Sequence, residues 1–235
     1  MLLKVDSKIF QEYPKVILGV AVLDGIDNKG NNPEIQNLLR EAEQLALQNL
    51  GDTPIVEHSH IAPWREVYRT FGAKPKKHPS SIENLLRRVA KGDLVRHINK
   101  LVDIYNVISL KYLVPVGGED IDKINGNVLL TFANEKENPV VLLGEKEARP
   151  PYFGEVIYKD DTGTICRRWN WKEVDRTKLT EDTKNAVIVI EGLPPVDRGE
   201  IQTALDDLAS LVKEYCGGKI LTSILDKNNP QVVLK

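Results

Sequence analysis

INKLVDIYNVISLKYLVPVGGEDIDKINGNVLL, from Ile98 to Leu130, is where the texture of this chain turns over. In its first half Leu101, Ile104, Tyr105, Ile108 and Leu110 to Tyr112 fall on or near one helical face, so the spacing predicts a helix from about Ile98 to Tyr112. Pro115-Val116-Gly117-Gly118-Glu119-Asp120 then reads as a loop. Its paired glycines permit positive φ and a close approach of backbone N–H groups to a ligand, although a tight structural turn explains the same residues. From Asn127 to Phe132 the residues form a short strand-like run. Helix gives way to strand across this one stretch.

Upstream, Lys15 to Leu23 (KVILGVAVL) is dense in β-branched residues and predicts a buried strand, closed by the turn chemistry of Asp24-Gly25 and Asn28-Lys29-Gly30. Pro33 opens a helix carrying Leu38, Leu39, Ala42, Leu45, Ala46 and Leu50, with Gly51 as its stop. Pro63 begins another, with Trp64, Val67, Tyr68 and Phe71, ended at Gly72. Ser80 or Ser81 is a natural N-cap for a third, striped by Leu85, Leu86 and Val89. Downstream, Gly154 to Tyr158, Thr164 to Arg168 and Ala186 to Glu191 are short strand-like runs, and Asp160-Asp161-Thr162-Gly163 is a hairpin turn. A last amphipathic helix near Gly199 to Tyr215 precedes a strand at Lys219 to Leu225. Helices cluster in the middle and strands flank them, which makes the class α+β. No stretch reads as a linker, so one compact unit over residues 1–235 is expected, with a strand-helix extension over about residues 1–60.

At 235 residues the chain can bury a core without disulfides, and its two cysteines, Cys166 and Cys216, form no framework. No apolar run approaches the length of a membrane span, and Met1 to Phe10 has no signal-peptide pattern. A soluble cytoplasmic protein with no membrane partner is the expectation. The net charge of −2 hides an asymmetry: between Trp64 and Lys100 ten Lys/Arg meet three acids, a local balance of +7. A basic sector on an acidic body suits contact with phosphate, and a solvated helical face is its bland alternative.

Generic catalytic motifs are absent from the sequence: it has no phosphate-binding glycine loop, no Cys-x-x-Cys pair and no Gly-x-Ser-x-Gly elbow. In Glu57-His58-Ser59-His60 the two histidines share one side if the segment is a strand, but no third ligand is adjacent, so no metal is expected. Arg65, Tyr68 and Arg69 neighbour one another on a helix surface and could offer guanidinium groups to phosphate and a ring to a base. Ile165 to Trp171 (ICRRWNW) is either a stacking platform or a strand end whose tryptophans plug the core. Val187-Ile188-Val189-Ile190-Glu191 delivers a carboxylate at the end of a buried strand. A charge there must be hydrogen-bonded or paired, or shift its pKa, which makes Glu191 the leading binding candidate beside a structural ion pair.

In order, these segments resemble the tRNA-binding and editing domain, called B3/B4, of the phenylalanyl-tRNA synthetase β-subunit. The likeness runs through residues 98–130, with Asp120-x-Asp122-x-Ile124-x-Gly126 leading into a strand, and on through Gly154-Glu155 and Thr183-Lys184-Asn185 to Glu191. The Trp64-Arg65, Tyr68-Arg69 and Ser81 segment is similar to free-standing relatives of that domain. The resemblance implies a single α+β domain of B3/B4 type, with helices packed on mixed or antiparallel sheets, and no cofactor. It implies that Glu191 reads the hydroxyl of a tyrosine wrongly attached to tRNA, with Asn106, Asp120 and Trp169 as further substrate-binding residues. Arg65, Tyr68, Arg69, Arg87 and Arg88 would face the RNA. The family's histidine corresponds to Gly117 here, so Gly117 and Gly118 would supply backbone amides and no imidazole. Thr183 and Thr203 are the candidates for the family's pocket threonine.

Three functions follow as expectations. The first is an aminoacyl-tRNA deacylase acting in trans on a mischarged tRNA, with Gly117, Gly118 and Glu191 as its catalytic groups. The second is a module that binds RNA or an amino acid and has lost the hydrolytic machinery. The third is a protein-interaction unit. The aminoacylation machinery of a complete synthetase is not seen in the sequence.

Overall fold

A computed structural model describes all 235 residues. In chain order the elements are β1 (Leu2–Val5), α1 (Ser7–Glu12), β2 (Ile17–Asp24), α2 (Pro33–Leu50), α3 (Ala62–Thr70), α4 (Ser81–Val89) and α5 (Lys100–Tyr112). There follow β3 (Val116–Asp120), β4 (Val128–Phe132), the small hairpin of β5 (Val140–Val141) and β6 (Ala148–Arg149), then β7 (Val156–Lys159), β8 (Thr164–Arg167) and β9 (Lys172–Glu173). The chain closes with β10 (Ala186–Gly192), α6 (Arg198–Tyr215), β11 (Lys219–Leu225) and β12 (Gln231–Val233). The class is α+β, as the sequence predicts.

The helix ends are set by local chemistry. Asn32 accepts from the Glu34 N–H, with Pro33 in the first turn of α2. Ser80 caps α4, and Asp197 with Glu200 forms a reciprocal capping box on α6. Each such cap is worth about 1 kcal/mol. The helix expected from Ile98 starts at Lys100 instead, because the Ile98 N–H donates to the Asp103 carboxylate and Asn99 is the residue that caps.

Two sheets carry the fold. One has four strands in the order β11-β2-β10-β3, all antiparallel. The other has six in the order β12-β1-β4-β7-β8-β9, in which only β1 and β4 run parallel. Side chains alternate across a strand, so the register of the four-stranded sheet sorts its residues into two faces. Ala21, Leu23, Ile188 and Ile190 join a core with α5 and α6. Leu18, Val20, Val22 and Val187 face the second sheet and pack with Leu3, Leu130, Tyr158 and Trp169. A third cluster joins α2, α4 and α5 through Leu39, Leu86 and Leu110.

Three expectations change. Val116 to Asp120 is not a loop but the edge strand β3, laddered to β10 from Val116↔Ile190 to Asp120↔Ala186. His58 and His60 do not lie on a strand; they follow a single turn of 3-10 helix at Ile55–Glu57. The first sixty residues are built into both sheets, since β1 lies between β12 and β4 while β2 lies between β11 and β10.

Candidate amino-acid pocket and basic cavity

The inner face of β3 and β10 is the floor of a cavity of about 290 Å³ between the two sheets. Register fixes what stands on it: Gly117 lies opposite Val189 and Glu119 opposite Val187, with Glu191 two residues beyond Val189 on the same face. The far wall is Leu3, Val128, Tyr158, Ile165 and Trp169, and α4 and α5 close the sides with Ser81, Asn84, Leu85, Tyr105 and Asn106.

Glu191 is only 3% exposed and has no cationic partner. Its Oε1 accepts from the Tyr158 hydroxyl at 2.5 Å and from the Trp169 indole N–H at 2.9 Å, and its Oε2 accepts from the Asn170 amide at 2.5 Å. Burial pushes its pKa up to about 7, against the pull of those three donors. Asn170 is held in turn by the Tyr68 hydroxyl, which donates to its Oδ1 at 2.7 Å.

The Arg168-Trp169 corner that delivers two of these donors is strained. Both residues are left-handed, at φ 48° and 64°, which costs of order 1–3 kcal/mol each for a side chain with a Cβ. Glu155 holds the corner from below. It is buried, accepts twice from the Arg167 guanidinium at 2.9 and 2.7 Å, and takes the Arg168 N–H at 3.0 Å. Trp169 itself is fully enclosed, edge-on to Trp64 with ring centroids 5.2 Å apart.

A second acidic feature lies further along the floor. Glu173 places Oε1 within 3.1 Å of where a Gly117 Cβ would stand and accepts a long N–H from Gly118 at 3.4 Å. Glu119 is 8% exposed and its Oε2 is enclosed without a partner. Burial raises the pKa of both, Glu173 to about 7 and Glu119 well above the usual carboxylate range, with the Glu173 charge adding to the effect on Glu119.

Asn84 also lines a larger and more polar cavity of about 640 Å³, shared with Arg87, Arg88, Lys91, Asp93, Leu94 and Arg96. Four of the ten cations of the basic sector therefore line a cavity that adjoins the pocket at Asn84.

The structure sorts the residues singled out in the sequence. Glu191, Asn106, Trp169, Gly117 and Gly118 all line the pocket. Asp120 does not. It sits on the opposite face of β3, accepting from the Thr183 hydroxyl at 2.8 Å and the Asp122 N–H at 3.0 Å, which gives both Asp120 and Thr183 structural work away from the pocket. Thr203 is on the exposed side of α6 and bonds to the Gly199 carbonyl. Gly117 and Gly118 offer no free amide nest, because both are in the ladder with β10 and the Gly118 N–H faces Glu173. At Gly118 the lack of a side chain answers to close packing instead: a Cβ there would lie 2.3 Å from Ile188 Cδ1 and 3.0 Å from the Val187 carbonyl oxygen.

Of the residues expected to face RNA, Tyr68 is 1% exposed, so its ring is closed to a base and its hydroxyl orients Asn170. Arg65 is turned in upon the buried Glu83 at 2.5 Å, and Arg87 shares the same carboxylate oxygen. Arg69 is exposed and paired with Glu66, and Arg88 is exposed. The sequence reading passed over Tyr158, Asn170 and Glu173 as site residues, and Lys91 and Arg96 as part of the basic cavity. For the two cations the signal was present in the charge count of the sector. For Tyr158 and Glu173 it was not, and Asn170 was visible only as a member of the Ile165 to Trp171 run.

Comparison with known proteins adds a relationship to this geometry. The family described as the B3/4 domain matches residues 63–217, well over half of the chain. The phenylalanine–tRNA ligase β-subunit of Fusobacterium nucleatum is 24% identical over 153 residues, which are 55% of this chain and 19% of that one. The β-subunit of Novosphingobium aromaticivorans is 24% identical over 225 residues, 80% of this chain and 28% of that one. The chain thus spans less than a third of the length of these curated relatives. An N-terminal fragment of the phenylalanyl-tRNA synthetase β-subunit from Pyrococcus horikoshii has the same fold, with a TM-score of 0.50 at 16% identity, covering 94% of this chain and 53% of that one.

Proposed function

This chain belongs to the B3/4 domain family, and from that premise we propose that it binds the aminoacylated end of a transfer RNA and hydrolyses the ester between amino acid and ribose. One observation carries the reading: a pocket with room for a whole aromatic amino acid and a cavity lined by Arg87, Arg88, Lys91 and Arg96 meet at a shared residue, Asn84. An aminoacyl-tRNA end has that layout, with an amino acid at its tip and phosphates behind it. The curated relatives are named as ligases for phenylalanine and its tRNA, which supports a tRNA as the RNA bound; the proposed place of action is the cytoplasm.

In this reading Glu191 accepts a hydrogen bond from a side-chain hydroxyl such as that of tyrosine. Its Oε2 has one protein donor and room for another. A side chain lacking the hydroxyl leaves that position unfilled beside a buried carboxylate, and sites of this kind discriminate by up to ~10⁴-fold or more. The vicinal hydroxyl of the terminal ribose orients the water, since Glu191 is engaged by three donors and the Gly117-Gly118 segment is laddered.

Binding without turnover is the second reading. It is favoured by Gly117, which puts no imidazole where the family resemblance expects one. Filter binding with tRNA, uncharged or charged with tyrosine, tests what both readings share. Tighter binding of the charged form, weakening steeply with salt, is expected. Equal binding of both forms would remove the pocket from the account.

A further inference from the structure

Nearly every buried acid of this chain is matched. Glu83 holds Arg65 and Arg87, Glu155 holds Arg167, Asp160 holds Arg176, and Glu43 takes Arg40 and the Val95 N–H. Glu191 has no cation but is held by three donors, whereas buried Glu119 and half-buried Glu173 have neither a cation nor that support. Glu119 Oε2 is enclosed without a hydrogen-bond partner of good geometry, the neutral Thr177 hydroxyl being the side-chain donor that acts on this carboxylate, and Glu173 has only the long N–H of Gly118. Arg176, the cation that acts on Glu119, is committed to Asp160 at 2.8 Å. Two carboxyls left without a counter-charge in a mainly apolar cavity are costly unless a ligand brings the charge or they retain a proton. Burial and mutual repulsion raise the pKa of Glu119, and burial that of Glu173, in the direction the second course requires.

The missing partner is an organic cation. No trio of His, Cys, Asp or Glu side chains converges as a metal-ligand set, so the two carboxylates and Glu191 do not make one. Position along the floor says which cation. Glu119 pairs with Val187, four residues before Glu191 on β10, which is about 13 Å of strand. Glu173 stands between, over Gly117. An aromatic amino acid with its hydroxyl at Glu191 and its α-ammonium turned to the other end spans that distance with a hydrogen bond at each end.

We propose that Glu119 and Glu173 form the docking point for the α-ammonium of the aminoacyl group, so that the pocket admits amino acids with a free amine and rejects N-acylated ones. The inference rests on the reading of the cavity as an aminoacyl pocket. An N-acyl nitrogen carries no charge and adds bulk at the end of the floor where Glu119 and Glu173 stand, so a peptidyl-tRNA is spared while a mischarged aminoacyl-tRNA is taken.

Calorimetric titration of the full chain with three probes tests it: tyrosine methyl ester, N-acetyltyrosine methyl ester, and methyl 3-(4-hydroxyphenyl)propanoate, which keeps the phenol and lacks the amine. The amine ester is expected to bind at least tenfold tighter than the other two, as a charge-assisted hydrogen bond would give. In Glu119→Gln and Glu173→Gln that preference should fall towards parity, while the amine-free ester binds as before and so reports an intact fold. Wild-type protein that binds the amine-free ester as tightly as the amine ester would overturn the proposal and leave the pocket standing. Binding of none of the three would overturn both.

Discussion

Replacing Glu191 with glutamine should change the pH dependence of stability in a direction and by an amount the structure fixes. Glu191 is 3% exposed, and burial raises its pKa from the ordinary 4.5 to about 7. An acid whose folded pKa lies above its unfolded one binds more protons folded than unfolded across that interval. Stability is therefore full below about pH 4.5 and is lost as pH rises through 7. Between pH 5 and pH 8 this one group removes about 2–3 kcal/mol from the wild-type chain, while a glutamine, neutral throughout, removes nothing. Glu119 and Glu173 contribute their own losses in the same sense, but these are common to both proteins and cancel in the difference. Urea unfolding followed by fluorescence of the enclosed Trp64 and Trp169 measures it. Relative to wild type, Glu191→Gln should gain about 2–3 kcal/mol on passing from pH 5 to pH 8. An offset that is the same at both pH values would refute the reasoning, because it would mean that Glu191 is as well solvated folded as unfolded.

Three further outcomes follow from single contacts. Glu155→Ala strands the buried Arg167 and frees the strained Arg168-Trp169 corner, so it should cost about 3–5 kcal/mol, read as a lowered Tm. Gly118→Ala drives a methyl to 2.3 Å from Ile188 Cδ1 and 3.0 Å from a backbone carbonyl and should cost about 1–3 kcal/mol. Gly117→Ala meets only the movable Glu173 carboxylate at 3.1 Å and should cost less in the same denaturant assay. Alanine at Arg88, Lys91 and Arg96 together should lower the slope of log affinity for RNA against log salt by about 2, at about 0.7 per phosphate contact. Arg87 is left in place in that test because it also neutralises Glu83.

Much of the framework was legible because it is locally specified. Asn32-Pro33 starts α2 and Gly51 ends it through chain-local hydrogen bonds, and the Asp160 to Gly163 turn joins β7 and β8 as the dipeptide chemistry implies. What failed to read was non-local. Leu2–Val5 is too short to announce a strand, and its partner β12 lies at the other end of the chain. Gly117-Gly118 carries the composition of a loop, yet it is a strand in which β10 packs too closely on Gly118 for a Cβ. Helical spacing placed Arg65, Tyr68 and Arg69 together but could not say that Glu83 and Asn170 draw the first two inward. Glu191 was visible as a carboxylate ending an apolar strand. Glu173 sits in a polar segment, Trp171-Lys172-Glu173, and becomes notable only when β9 carries it over β3.

The function proposed for this chain is that of an aminoacyl-ester hydrolase whose specificity is read by Glu191. Incubating the full chain with phenylalanine tRNA mischarged with tyrosine, beside the same tRNA correctly charged with phenylalanine, tests it most directly. The account predicts selective release of tyrosine by the wild-type chain and loss of that selectivity in Glu191→Ala. Tight, salt-sensitive binding of both tRNAs with no release from either would contradict the hydrolase, and equal release from both would contradict the role of Glu191.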